Sequence, residues 1–168
     1  MTKHVVEERR WPTNKLLTAP QAVEEIAQLR KDNRVIVFTN GCFDIIHAGH
    51  VDLLRQCREL GDHLIVGLNS DESVRRLKPG RPFNHTYDRA MILTAIRSVS
   101  AVVVFHEDTP TELIRLLHPD VLAKGSEYQE SEIPGSDVVR QYGGRVVRVQ
   151  MVPGYSTSGL VDKIRSMR

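Results

Sequence analysis

Between Arg34 and Leu60 the spacing of apolar residues changes once, from the period of a strand to that of a helix. Val35, Ile36, Val37 and Phe38 are β-branched or aromatic and read as a buried strand. Gly41 allows a tight turn. From about Ala48 the apolar side chains recur at helical spacing, with Val51, Leu54 and Cys57 on one stripe and Leu53 and Leu60 beside it. His47 and His50 therefore fall at or just inside the start of a helix that leaves a strand. The first turn of a helix carries free N–H groups and a partial positive charge, so it is a seat for an anion. Two imidazoles there can donate hydrogen bonds to a phosphate, and Gly49 has no side chain to block close approach. Asp44, just upstream, can order the loop or help hold a metal. Either histidine alone reads most simply as a polar residue on a solvated helix start. The whole stretch together favours phosphate.

The rest of the chain alternates in the same way. Thr18 and Gln21 fit a capping box with Pro20 in the first turn, and Ala22, Ile26 and Leu29 form the stripe of a helix that Asp32-Asn33 ends. After the central strand and helix, residues 63–69 read as a second strand, and Ser70 or Asp71 caps a short helix. Residues 78–82 form a Pro/Gly loop, and a longer helix is predicted over 86–99. Residues 101–105 are a continuous apolar strand of the kind covered on both faces. Thr109 and Glu112 predict a capping box with Pro110 at the first helical position. Residues 120–124 are a fourth strand, 136–142 a helix ended by Gly143-Gly144, 146–149 a fifth strand, and a last helix starts within 154–158. Five strands alternating with helices over short connections predict an α/β fold, a doubly wound parallel sheet with helices on both faces. Residues 14–168 read as one domain, behind an arm of residues 1–13 around Trp11-Pro12.

In such sheets ligands bind beyond the carboxyl ends of the strands. The residues found there are the Gly41-Cys42-Phe43-Asp44 turn with the histidines, Asn69 and Asp71, the loop after Phe105, Lys124-Gly125, and Ser156-Thr157-Ser158. The Ser-Thr-Ser hydroxyls at a helix start offer either ordinary capping or a second phosphate seat. Arg75, Arg76, Lys78 and Arg81 flank a loop able to close over a charged substrate, or form a solvated basic face. Arg89 reads from the residues alone as a surface arginine, paired with Asp88 or Glu107.

Composition narrows the class. The 168 residues are 40% hydrophobic and 26% charged, as in a soluble globular protein, and the net charge of +2 provides no field for nucleic acid. No apolar run is long enough to span a bilayer, and the amino terminus has no signal-peptide core. Cys42 and Cys57 match no zinc or redox spacing and read as small hydrophobes in a reducing cytoplasm.

GCFDIIHAGH resembles the HxGH signature of the cytidylyltransferase-like nucleotidyltransferases, which move a nucleoside monophosphate from an NTP onto a phosphate-bearing acceptor and release pyrophosphate. PGYSTSGL is similar to that family's GxSTT segment, with Ser158 in place of the second Thr. The likeness runs from Asn14 to Ile164 and is greatest for the heptose-phosphate adenylyltransferase branch, through LGDHLIVGLNSDESVRRLK, LIRLLHPDVLAKGSEY and VVRQYGGRVVRVQMVPGYSTS. Cytidylyltransferases acting on glycerol or choline phosphate carry RTxGIST where this chain has Met151-Val152-Pro153-Gly154, which argues against that branch. Asn84-His85-Thr86-Tyr87 departs from the usual NPLEER-like segment.

The resemblance implies a Rossmann-like fold. It implies transfer of AMP from ATP to a heptose 1-phosphate, giving ADP-heptose for lipopolysaccharide core synthesis. His47 and His50 would stabilise developing charge, Arg89 would contact phosphates, and Lys15 (within NKLLTAPQ) would reach the acceptor's phosphate. Lys124 would point its cationic head into the site, the backbone of its AKGSEY segment at Gly125 and the Tyr128 ring would border the base, and Mg²⁺ would bridge triphosphate oxygens, largely through water and with Asp44 as a further ligand. A homodimer in the cytoplasm, with the kinase partner on a separate protein, completes that expectation. The alternatives are a cytidylyl- or guanylyltransferase on another sugar or polyol phosphate, or a non-catalytic nucleotide-binding module.

Overall fold

A computed structural model describes residues 13–167, with Glu130 described by its backbone alone. The expected arm over 1–13 lies outside the described residues except for Thr13. Six strands form one parallel sheet: β1 (Leu16–Leu17), β2 (Ile36–Gly41), β3 (His63–Asn69), β4 (Ala101–Phe105), β5 (Val121–Gly125) and β6 (Arg145–Val149). Their order is β1-β4-β3-β2-β5-β6, so the chain steps outward from β2 through β3 and β4, then returns to β2's other edge for β5 and β6. The switch point therefore lies between β2 and β5. The sequence predicts five strands. The sixth, β1, is two residues long and too short to show alternation; it is defined by parallel pairing of Leu16 with Val102 and Leu17 with Val103.

The helices are α1 (Ala19–Lys31), α2 (Ala48–Arg58), α3 (Asp71–Leu77), α4 (Thr86–Ala95), α5 (Thr111–Leu117), α6 (Ser136–Gln141) and α7 (Thr157–Ser166). Successive strand residues face opposite sides, so the sheet feeds two cores. Ile36, Phe38, Ile65, Val103 and Leu122 point to the side covered by α1, α5 and α6. Val37, Leu64, Val66, Val102 and Ala123 point to the side covered by α2 and α4. On the first side Gly67 makes room for the Phe38 ring, since a Cβ there would lie 2.6 Å from its tip.

The Thr18 capping box forms as expected, Gln21's backbone and side chain both being engaged. The one expected at α5 does not form. Pro110 is the N-cap there, no side chain caps the helix, and the Thr109 hydroxyl instead lies 3.2 Å from that of Thr111. α4 ends at Ala95 rather than near Val99 because Ile96 turns extended, at ψ 125°. Among the described residues no helix is long and apolar enough to cross a membrane.

Candidate active site at the carboxyl ends of β2 and β5

His47 is the N-cap of α2, in extended conformation, and makes no side-chain capping bond. A Ser or Asp there would accept from a first-turn N–H; the imidazole does not, and of the first-turn donors His50 N is held by the His47 carbonyl at 2.9 Å. Its ring stacks on His50 at 3.8 Å between centroids and 22° between planes. Phe43 closes the inner side, its ring edge-on to His50 at 5.3 Å. Phe43 is 5% exposed and held at φ +43°, so it backs the histidine rather than meeting a nucleotide as expected. Burial, followed by the neighbouring His47 and Lys78, lowers His50 to about 4, against the pull of the Ile45 backbone in the other direction. Burial also lowers His47. Both shifts favour the neutral imidazoles, and with the rings 3.8 Å apart a proton on one disfavours a proton on the other. Gly49 lies between them, and a Cβ there would meet Tyr155 Cβ at 2.8 Å and His47 Nδ1 at 3.1 Å.

On the adjoining strand, Lys124 Nζ donates to the Asn40 carbonyl (2.8 Å) and to Asn40 Oδ1 (3.0 Å) at the end of β2. It lies 5.2 Å from the centre of the Tyr128 ring. Burial pulls it down to about 8, outweighing the nearby Glu127, and Lys78 adds to the fall. Lys78 thus lowers both His50 and Lys124. Gly125 is packed under the Glu127 carboxylate. The start of α7 reaches the same place: Thr157 Oγ1 donates to the Ile45 carbonyl at 3.5 Å. Ser156 is its N-cap, accepting from Gly159 N at 3.0 Å. Ser158 is exposed.

Several expectations are corrected. Arg89 is neither a surface residue nor a phosphate ligand. It is fully buried, with Nη1 on the carbonyls of Cys42 (2.7 Å) and Asn69 (2.8 Å), Nε on that of Asn84 (3.0 Å) and Nη2 on Asp71 Oδ1 (2.8 Å). Asp71 is accordingly a structural partner. Burial raises its pKa, but bonds from Arg89, Thr86 and His85 outweigh that and hold the carboxyl below its usual value. Asn69 is 3% exposed and its amide donates to Ser73 Oγ, so it too faces inward.

Asp44 is not placed to ligate a metal. Its Oδ1 accepts from Phe83 N (2.8 Å) and Asn84 N (2.9 Å), its Oδ2 pairs with Arg81 (2.9 Å), and it is 5% exposed. Both lone pairs of one oxygen are taken and the other oxygen is ion-paired. Among the described residues no group of three His, Cys, Asp or Glu side chains could hold a metal.

Lys15 lies at the other end of the sheet, its Nζ donating to the Val99 carbonyl ahead of β4 (2.8 Å). Arg76 stays at the carboxyl edge but is engaged by Asp108 (2.6 Å) and the His106 carbonyl (2.5 Å). Cys42 lends its carbonyl to Arg89, while Cys57 is buried and its thiol pushed up to about 12.

Sequence reasoning passed over Tyr155. It lies within GYSTS, directly before a helix start, and an aromatic ring at that point was the available signal. The Arg81–Asp44 pair was missed because its members are 37 residues apart. A cleft of about 320 Å³ opens at the amino ends of the strands, between Val35, His118, Asp120, Tyr142 and Arg145. Tyr142 donates to the Pro119 carbonyl and Asp120 accepts from Ile36 N, so these polar groups serve the fold.

A family model described as cytidylyltransferase-like matches residues 38–161. Over 152 residues the chain is 53% identical to "Bifunctional protein HldE" of Mesorhizobium japonicum, a match covering 90% of this chain and 31% of that protein. It is 54% identical over 155 residues to the protein of the same name from Gluconacetobacter diazotrophicus, covering 92% and 32%. The chain thus spans about a third of the length of these curated relatives. The crystal structure of the lipopolysaccharide core biosynthesis protein from Thermoplasma volcanium superposes with a TM-score of 0.59 at 25% identity, over 71% of this chain and 97% of that one. Pantoate-beta-alanine ligase from Francisella tularensis, complexed with an ATP ligand and beta-alanine, shares the fold alone, with a TM-score of 0.60 at 13% identity over 86% and 69%.

Proposed function

The chain belongs to the cytidylyltransferase-like family, and on that premise we propose that it transfers AMP from ATP to D-glycero-β-D-manno-heptose 1-phosphate, giving ADP-heptose and pyrophosphate. The relatives named HldE and the neighbour titled a lipopolysaccharide core biosynthesis protein support the choice of acceptor. The observation that carries the chemistry is the stacked His47–His50 pair on an uncapped helix start at the switch point of the sheet.

In the proposed reaction an acceptor phosphate oxygen attacks the α-phosphorus in line. A new P–O bond forms, the α–β bridging P–O bond breaks, and pyrophosphate leaves with that electron pair. The nucleophile is already anionic, so positioning and charge stabilisation supply the rate. The neutral imidazoles donate N–H hydrogen bonds to phosphate oxygens, the α2 N-terminus adds its dipole, and Lys124 supplies a cation below about pH 8. Ser156, Thr157 and Ser158 border the far side of the phosphates, and Tyr128 the base. Asp44, with both oxygens engaged by Phe83, Asn84 and Arg81, does not fit a direct role with Mg²⁺. The reading includes a cytoplasmic homodimer.

The test is pyrophosphate release across four NTPs and a set of sugar and polyol phosphates. ATP with the heptose 1-phosphate is expected to give the highest kcat/KM. ATP binding without pyrophosphate release for any acceptor would overturn the reading in favour of a binding module, and preference for CTP or GTP would overturn the nucleotide assignment.

A further inference from the structure

His47 Nδ1 is buried and has no hydrogen-bond partner among the described residues. A histidine that must present one nitrogen to a ligand is ordinarily oriented by a hydrogen bond at the other. Here that device is missing, so packing alone sets the ring. One face lies against His50. Tyr155 approaches from a different element, its ring inclined only 27° to that of His47 at 6.1 Å. Tyr155 Cβ also fills the space above Gly49, where a second Cβ would lie only 2.8 Å away. Phe43, His50, His47 and Tyr155 thus form a row of rings, with the imidazoles between an anchored Phe43 and a Tyr155 that is 48% exposed. Tyr155 directly precedes the α7 N-cap, and none of the residues of α7 is buried. The ring stack and the Thr157–Ile45 contact therefore join the α7 start to the α2 start.

We propose that Tyr155 is a positioning residue: its ring and Cβ close the outer face of the His47–His50 stack, fixing His47 toward the phosphate seat and setting the α7 start against it. Its catalytic consequence rests on the transferase reading above; its structural part does not. The phenol hydroxyl has no hydrogen-bond partner among the described residues, so the ring does the work. Phenylalanine should replace it and leucine, close in size but without a ring face, should not.

The experiment compares Tyr155→Phe and Tyr155→Leu in the full chain by two measurements. In ¹H–¹³C NMR the His47 ring resonances should move in the Leu variant and stay near wild type in the Phe variant. In steady-state assays the Leu variant should lose roughly ten- to a hundredfold in kcat, the scale on which small misplacements act. Its KM for ATP should stay within about twofold, as for loss of an interaction made only in the transition state. The Phe variant should recover kcat. A raised KM with unchanged kcat makes Tyr155 a nucleotide contact and overturns the proposal. So do unmoved His47 resonances, or a Leu variant that loses thermal stability together with both kinetic constants. If the wild-type chain releases no pyrophosphate with any acceptor, the transferase reading fails on its own and the NMR measurement still decides the role of Tyr155.

Discussion

Replacing Arg89 with methionine keeps most of the buried volume and removes every N–H donor. Three main-chain carbonyls, of Cys42, Asn69 and Asn84, lose their Arg89 donor, and Asp71 loses its nearest cation, keeping Arg75 at 4.0 Å. Removing one member of a buried ion pair costs about 3–5 kcal/mol, and each carbonyl left dry adds roughly 1–3 kcal/mol. Asp71 keeps 14% exposure and its bonds from Thr86 and His85, and water can enter beside it, so these costs overlap. A net loss of about 5 kcal/mol, just under the lower end of that sum, is a large part of the 5–15 kcal/mol that ordinarily holds a domain together. At about 2–4 °C per kcal/mol for a chain of this length, the thermal midpoint should fall by roughly 10–15 °C. Urea unfolding should show a lower midpoint at unchanged slope. Arg89→Lys should recover only part of the loss, because a single ammonium cannot span carbonyls on three loops. A phosphate-binding arginine behaves oppositely: its methionine variant stays stable and binds ATP weakly. A stability loss below about 1 kcal/mol, with ATP affinity reduced, would refute the buried hub.

His50→Ala should reduce turnover by about two to three orders of magnitude, as loss of a preorganised donor does, and near-normal pyrophosphate release would contradict its role. Because the folded-state pKa of His50, about 4, lies below its ordinary 6.5, the unfolded chain takes up the proton first as pH falls. Its contribution to stability is therefore complete above about 6.5 and lost on the way to 4; urea midpoints measured over that range should fall, and His50→Gln should flatten the fall. Lys124, at about 8, is a cation below that pH, so KM for ATP should rise as pH passes 8, and Lys124→Met should abolish the dependence. Asp44→Asn should lower thermal stability by removing the ion pair with Arg81 while leaving the Mg²⁺ concentration for half-maximal rate unchanged; a large shift in that concentration would restore Asp44 as a metal ligand.

The strand-to-helix switch across residues 35–57 was legible because two periodicities and a glycine turn agree there, and the helix-start histidines followed from it. The Thr18 capping box was legible for the same reason: both of its members lie within four residues. What could not be read depends on distant partners. β1 exists only through pairing with β4, more than 80 residues later. The roles of Arg89 and Asp44 depend on main-chain groups 20 to 47 residues away, and no local pattern states which way a charged side chain turns. Lys15 illustrates the converse, since its motif was readable but its end of the sheet was not.

Arg89 grips backbone oxygens at positions 42, 69 and 84, so it is indifferent to the side chains those positions carry. For an engineer this divides the rim in two. Side-chain exchange at Cys42 leaves Arg89's backbone partner there in place, whereas exchanges at Asn69 and Asn84 also cost the amide bonds to Ser73 Oγ and to the Asp44 carbonyl. Insertions or deletions between 69 and 89 would pull a carbonyl off the fork, and a loop graft would have to bring residues 71, 84, 86 and 89 as one cassette.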